Sequence, residues 1–276
     1  MTRCAKNALA IAAALTAVVA VAAGIARQNV SIDVTDYKYK SKKVSSELSG
    51  FKIAHISDLH NRRFGDENAY LIDKIKACEP DIIVISGDLL DSRHTDIEAA
   101  VEFAASASEI APVYYTTGNH EQRFSQSELS YFLDRLRDAG VIVLEDEAVE
   151  LSNGMRLVGL SDKSVGTDVL PKLLSQGSHE ELTLLISHKP HYAQWYADCG
   201  ADLTFCGHAH GGQVIIPFVG GLIAPDQGLF PKLTQGLHYY GNSATVISRG
   251  LGNSLIPIRI NNPPELVIVT LESLPE

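Results

Sequence analysis

"DIIVISGDLLD", residues 81–91, decides the fold. Its first residues are β-branched and apolar on both faces, so they form a strand buried on both sides rather than one exposed to water on one face. Gly87 and Asp88 then break the run. Upstream, "FKIAHIS" (51–57) is a second apolar run, and "NAYLIDKIKACE" (68–79) sets Leu71, Ile72, Ile75 and Cys78 at helical spacing. Downstream, residues 96–110 read as a helix and "APVYYTTG" as a strand. "SQSELSYFLDRLRDAG" reads as a helix begun by Ser/Glu capping and stopped at Gly140. "VIVLED", "AVELSNGMRLVGLSD", "ELTLLIS" and "ADLTFCG" read as further strands, the second turning at Asn153–Gly154. "HYAQWYADCG" is a short helix, and "SATVISRG" and "PELVIVTLE" close the chain as strands. Alternation of this kind predicts an α/β protein with a central sheet system covered by helices.

The 276 residues are enough for one α/β domain, and 45% hydrophobic against 20% charged residues allows a substantial core. Formal charge is −10; residues 1–27 hold Arg3, Lys6 and Arg27 and no acid, which leaves −13 on the rest. Nucleic acid is therefore not expected as a partner, because phosphate backbones are bound by basic surfaces. An acidic protein that handles phosphate needs cations to invert the local field. Cys4, Cys78, Cys199 and Cys206 show no close pairing and read as free thiols, not as a disulfide framework or a thiolate zinc site.

"ALAIAAALTAVVAVAAGIA", residues 8–26, has no charge and is flanked by Arg3, Lys6 and Arg27. It is long enough to span a bilayer, and its basic flank places the following domain outside the cell. The expectation is a single-pass signal-anchor over residues 1–27. The alternatives are a signal cleaved near "AVAA" (20–23), which would give a secreted protein, and a buried or peripheral helix. Residues 28–50 read as a polar connector with at most one edge strand, and 51–276 as the domain.

Polar residues collect where the strands end. Asp58 and His60 follow the strand at 51–57, Asp88 that at 81–87, and Asn119 and His120 that at 112–116. His188 follows "ELTLLIS", and His208 and His210 follow "ADLTFCG". Any one of them is unremarkable as a turn residue, a helix cap or a half-buried histidine. Five segments repeating the placement point to one site beyond the carboxyl ends of the strands. Carboxylates, imidazoles and one amide oxygen suit Mn, Fe or Zn better than Ca. Seven ligands are too many for one ion with open positions and fit two ions sharing a carboxylate, an arrangement that activates water and clamps a phosphoryl group.

In that order, "DLH" (58–60), "GDLLD" (87–91), "GNHE" (118–121), "HKP" (188–190) and "GHAH" (207–210) resemble the five sequence blocks of the calcineurin-like metallophosphoesterases. The match extends over 51–213. "FKIAHISDLHNRRFG", "GHAHGGQ" and the apolar leader are similar to the YkuE/YaeI-like subgroup of membrane-associated bacterial phosphodiesterases. The resemblance implies a four-layer sandwich, two mixed β-sheets flanked by α-helices, here preceded by one apolar helix. It implies that Asp58, His60 and His210 hold one divalent ion and Asn119, His188 and His208 the other, with Asp88 bridging. It makes His120 the catalytic residue beside the site, a general acid oriented by an acidic neighbour, with Asp91 the better candidate and Glu121 the poorer. Asp91 also reads as a cap or turn acid.

Arg62 and Arg63 are read either as phosphate-binding or as solvated, and at least one as solvated. Residues 214–242, rich in Gly and Pro, read as a lid over an apolar part of the substrate or as a hairpin packed on the core. His238 and Arg249 are left outside the site. Functionally, the expectation is a two-metal phosphodiesterase or pyrophosphatase acting on lipid- or envelope-linked phosphates. The competing readings are a phosphomonoesterase or protein phosphatase with the same site, and a metal-binding scaffold without catalysis. The oligomeric state is left open.

Overall fold

The computed structural model describes residues 3–178, 180–253 and 257–274; the side chains of 3–6, 8–14 and 21 also fall outside the description. Two six-stranded sheets form the body. Across the first, the strands run Asp33–Ser41, Glu265–Ser273, Lys52–Ile56, Ile82–Ser86, Val113–Thr116 and Ile142–Val143. Across the second they run Gly236–Tyr240, Ser243–Ile247, Leu203–Cys206, Thr183–Ser187, Arg156–Leu160 and Glu147–Glu150. Both sheets are mixed. Lys52–Ile56 is parallel to Ile82–Ser86 and antiparallel to Glu265–Ser273, and Arg156–Leu160 is parallel to Thr183–Ser187 and antiparallel to Glu147–Glu150.

Alternation along the central strands builds the layers. In Ile82–Ser86, Ile83 and Ile85 pack against Leu71, Phe103 and Phe132 of the helices Ala69–Cys78, Ile97–Ser108 and Gln126–Asp138. Ile82 and Val84 point the other way, onto Leu184, Ile186 and Phe205 of the second sheet. The far face of that sheet, with Val158, Leu185 and Ile247, is covered by Leu170 and Tyr196 of the helices Val169–Leu174 and Ala193–Cys199. The order is therefore helix, sheet, sheet, helix: the four-layer sandwich, with two apolar cores outside the sheets and one between them.

The capping expectations are met. Ser125 and Glu128 form a reciprocal capping box at Gln126–Asp138, and Gly140 follows that helix in the left-handed region, with φ +87°. "VIVLED" forms only the two-residue strand Ile142–Val143. Within 28–50, Asp33–Ser41 pairs along its full length with Glu265–Ser273 and forms the edge of the first sheet. Cys78, Cys199 and Cys206 are free thiols.

A helix runs from Arg3 to Val30 and ends against the domain. Among the described residues no helix is long and apolar enough to cross a membrane. Of the expected anchor over 8–26, the side chains of 8–14 and 21 lie outside the described residues.

Phe205 is fully buried between the sheets, with its ring edge-on to His55 at 5.3 Å. Phe205→Ala is expected to lower unfolding free energy by about 3–5 kcal/mol. Tyr131→Ala, on the exposed face of Gln126–Asp138, should shift it by less than about 0.5 kcal/mol. Urea unfolding curves of the two variants check both.

Candidate metal centre

The strands Lys52–Ile56, Ile82–Ser86 and Val113–Thr116 run parallel in one sheet, and Thr183–Ser187 and Leu203–Cys206 run parallel in the other. Their carboxyl ends deliver all seven expected ligands to one place. Five of these residues, Asp58, His60, Asp88, His208 and His210, have positive φ, a region in which non-glycine residues are uncommon. Hydrogen bonds between the loops hold them there. Asp58 N–H donates to Gly87 O (3.1 Å), His60 N–H to Asp88 O (3.0 Å), and Gly207 N–H to His188 O (3.1 Å). Each left-handed residue turns its side chain inward instead of continuing the strand.

Two groups of donors result. His60 Nε2 lies 3.3 Å from His210 Nε2 and 3.8 Å from Asp58 Oδ1, and His210 Nε2 lies 3.5 Å from Asp58 Oδ1. His188 Nε2 lies 3.2 Å from Asp88 Oδ2, from Asn119 Oδ1 and from His208 Nδ1. Asp88 reaches both groups, its Oδ2 standing 3.6 Å from His60 Nε2. The ligand tautomer at His188 is set from behind: Nδ1 faces the Ser86 carbonyl at 2.7 Å and must donate to it, so the Nε2 lone pair faces the site. His208 has the opposite orientation, with Nδ1 inward and Nε2 3.0 Å from Asp226 Oδ2.

The electrostatics fit divalent cations. Asp58 and Asp88 are buried to 0% and 1% exposure, and buried carboxylates without counter-charge are strongly disfavoured. Burial holds His60 down to about 4 and His208 to about 3, so both are neutral, as ligation requires. Burial also disfavours the His188 cation, yet the charges of Asp88 and Asp58 prevail and raise it to about 10. A proton there occupies the field that a metal cation would fill. Burial and the neighbouring Asp88 push Asp58 up to about 6.

Glycine is required where the loops cross. A Cβ on Gly207 would come within 1.8 Å of Ser57 Oγ and 2.3 Å of Asp58 Oδ2, and one on Gly118 within 2.3 Å of Asp88 Oδ1.

His120 stands beside the donors, its ring centroid 4.5 Å from that of His60. Its backbone N–H donates to Asp88 Oδ1 (2.8 Å). Ser92 N–H donates to its Nδ1 (3.1 Å), which puts the proton of the neutral ring on Nε2. Asp91 Oδ1 is 3.6 Å from the same Nδ1, but its close bonds go to Arg93, at 2.9 Å from N, 3.3 Å from Nε and 3.1 Å from Nη2. Direct orientation of the ring thus comes from Ser92, with Asp91 as the nearby negative charge. Glu121 serves elsewhere. Fully buried, it accepts from the N–H groups of Asp88, Leu90 and Gly118, each at 2.9 Å, and so ties together the two loops carrying Asp88 and Asn119.

A cavity of about 500 Å³ opens over the donors. Arg93, Arg123 and Lys189 line it as cations, and Ile223, Ala224, Pro225 and Asp226 form a wall from the 214–242 segment. Sequence reasoning had missed the three cations and Asp226, none of which follows an apolar strand directly except through a ligand block. Lys189, next to His188 in "HKP", carried the only local signal. Arg62 and Arg63 do not line this cavity. Arg62 donates to the Asn29 and Leu251 carbonyls, and Arg63 pairs with Asp96 on the surface (3.3 Å). His238 is bonded to the Gln235 carbonyl (2.9 Å) and Arg249 to Asp33 and Glu265 (3.3 and 3.1 Å), both outside the cavity.

Comparison with known proteins follows the same blocks. The family described as Calcineurin-like phosphoesterase matches residues 51–212. The chain is 27% identical to the uncharacterized metallophosphoesterase YkuE of Bacillus subtilis over 250 residues, 88% of this chain and 86% of that protein. It is 30% identical to the phosphodiesterase YaeI of Escherichia coli over 231 residues, 80% of this chain and 82% of that one. Among solved structures, TT1561 of Thermus thermophilus superposes with a TM-score of 0.51 at 10% identity, covering 74% of this chain and 91% of that chain.

Because a metal at His188 must displace a proton held at about pKa 10, divalent-ion affinity should rise with pH from about 7 to 10. The slope should approach about tenfold per unit for one released proton. Calorimetric titration with Mn in buffers of different ionisation enthalpy measures the release; pH-independent affinity would contradict it. Asp88→Asn should weaken binding of both ions, and Asn119→Ala mainly one, as read by elemental analysis after dialysis.

Proposed function

The chain belongs to the calcineurin-like phosphoesterases, and from that premise we propose that it is a two-metal phosphodiesterase whose substrate carries an apolar portion. The observation that carries the reading is the convergence of Asp58, His60, Asp88, Asn119, His188, His208 and His210, of which Asp88, Asn119, His208 and His210 line a cavity together with Arg93, Arg123 and Lys189. Asp58, His60 and His210 would hold one divalent ion and Asn119, His188 and His208 the second, with Asp88 shared. When bound, the ions would supply Lewis-acid polarisation of the phosphoryl oxygens and an ionised water for in-line attack.

The protein's own groups do the rest. Arg93, Arg123 and Lys189 give the acidic chain a local positive rim for the substrate phosphate. Neutral His120, with its proton on Nε2, can donate a hydrogen bond to the phosphate. As a general acid it first takes a second proton on Nδ1, where Asp91 Oδ1 (3.6 Å) stabilises the cation, and then gives the Nε2 proton to the leaving oxygen and returns to the neutral ring. Ile223, Ala224 and Pro225 offer an apolar wall to whatever the phosphate is esterified to. Support for a diester over a monoester comes from the similarity to the phosphodiesterase YaeI. The apolar leader supports a membrane-held enzyme facing outward, acting on lipid- or envelope-linked phosphates; a cleaved leader would make it secreted.

Bis-(p-nitrophenyl) phosphate with added Mn should turn over faster than p-nitrophenyl phosphate. The reverse order would favour a phosphomonoesterase, and activity on neither a non-catalytic scaffold. His120→Asn should keep its metal content yet lose roughly 10²–10⁴-fold in turnover on an alkyl ester, and less on nitrophenyl esters, whose leaving group needs no proton. Loss of metal in this variant would contradict the role.

A further inference from the structure

Residues 214–231, "VIIPFVGGLIAPDQGLFP", contain one charged side chain, Asp226, and it is engaged by His208. They fold as two short hairpins, Ile215–Ile216 paired with Gly220–Gly221 and Ile223–Ala224 paired with Gly228–Leu229. The apolar side chains at their ends have no core. Phe218, at the first turn, is fully exposed and has a φ of +67°, so it is strained with no packing to offset the strain. Val219, Leu229 and Phe230 are each more than half exposed. Both hairpins are fixed to the ligand turn, since Leu222 N–H donates to the carbonyls of Gly212 (3.1 Å) and Val214 (2.8 Å) and Phe230 N–H to that of Leu222 (2.9 Å).

The same hairpins are stitched to the end of the N-terminal helix. Ile215 N–H donates to the Ile260 carbonyl (3.0 Å), Asn261 N–H to Gln28 Oε1 (3.0 Å), and Arg259 N–H to Asn29 Oδ1 (3.1 Å). Ile258, on the connecting segment, is half exposed, and on the helix Leu15, Val18 and Val19 are more than half exposed. Exposed apolar side chains are thus found on the helix, on the segment bonded to its end and on both hairpins, and Lys232 stands exposed just beyond the second hairpin in the chain. A scatter of single apolar side chains would need no explanation, but four on two adjacent hairpins that are hydrogen-bonded, through 258–261, to the end of a helix with an uncharged run do.

We infer that the two hairpins form a second membrane contact, with Phe218, Val219, Leu229 and Phe230 resting in the interfacial region of a lipid bilayer beside the N-terminal helix. This rests on the membrane reading above and extends it. The second hairpin supplies Ile223, Ala224 and Pro225 to the cavity wall, so its docking would bring the cavity mouth to the lipid surface. A phosphoester in a lipid headgroup could then enter without leaving the membrane.

The test uses the full chain in phosphatidylcholine–phosphatidylglycerol vesicles with and without bromine on the acyl chains. Trp195, the single tryptophan, is replaced by Phe, and a reporter is placed by Phe218→Trp, Leu229→Trp or, as control on the helical layer of the other sheet, Tyr131→Trp. An apolar face buried to the headgroup–acyl boundary should lose roughly half or more of its fluorescence to brominated lipid at 218 and 229, with no change at 131. A chain that floats with vesicles but shows equal quenching at all three positions would overturn the hairpin contact and leave the helical anchor standing. A chain that does not float overturns both. Absent quenching with a dimer that dissociates on Phe218→Glu would assign the surface to a second copy instead. In the lipid case Phe218→Glu abolishes quenching of the 229 reporter while hydrolysis of bis-(p-nitrophenyl) phosphate is retained, which shows the variant is folded.

Discussion

Two buried carboxylates, Asp58 and Asp88, whose nearest positive charge is the proton they hold on His188, govern the architecture of this protein. Each sits two residues past a parallel strand of the first sheet, and each is held by backbone N–H groups as well as by His188. Asp58 accepts from His208 N–H through both oxygens (3.1 and 3.0 Å), and Asp88 from His120 N–H (2.8 Å). Those bonds cross from one loop to another, so the acids also set where the other donors stand. The left-handed conformations of Asp58, His60, Asp88, His208 and His210 cost on the order of 1–3 kcal/mol each. Against a net stability of about 5–15 kcal/mol such strain persists only where the surrounding structure over-determines it. Here that is done by the crossing glycines, the three N–H bonds of Glu121 and the two packed sheets below.

The frame was legible in the sequence because its signals are local. Strands buried on both faces, such as Ile82–Ser86, read as unbroken β-branched runs, and a ligand directly after such a run has few places to go. Helix ends marked by Ser125 and Gly140 read equally well. Where partners come from far along the chain the signal fades. The strand Asp33–Ser41 is polar at an edge, so only its pairing with Glu265–Ser273 reveals its length. "VIVLED" looks like a full strand, yet it pairs over only two residues before Leu144 and Glu145 turn toward Tyr115 and Thr117.

The site was legible in its ligands and less so in its surroundings. The imidazoles and carboxylates are confined by metal chemistry to the strand ends, but a cation for phosphate can be reached from any loop. Arg62 and Arg63 stand next to a ligand block and nevertheless point away, to Asn29 and Asp96, whereas Arg93 and Arg123 arrive from the loops that carry Asp91 and His120. Asp226 had no signal at all. It lies in a segment with neither a 2.0 nor a 3.6 period, and only the fold brings it to His208. Through that contact the apolar hairpins and the metal donors become parts of one structure, with the phosphate end of the cavity built from the sheets and its far wall from the hairpins.

The seven donors are assigned to two cation sites that share Asp88. A crystal soaked in or grown with Mn, with anomalous differences measured at a wavelength where Mn scatters strongly, tests that assignment most directly. Two peaks about 3.5–4 Å apart are expected, one among Asp58, His60 and His210, the other among Asn119, His188 and His208, with Asp88 reaching both. A single peak, or a peak among His60, Asp91 and His120, which also lie close enough together to hold an ion, would contradict it.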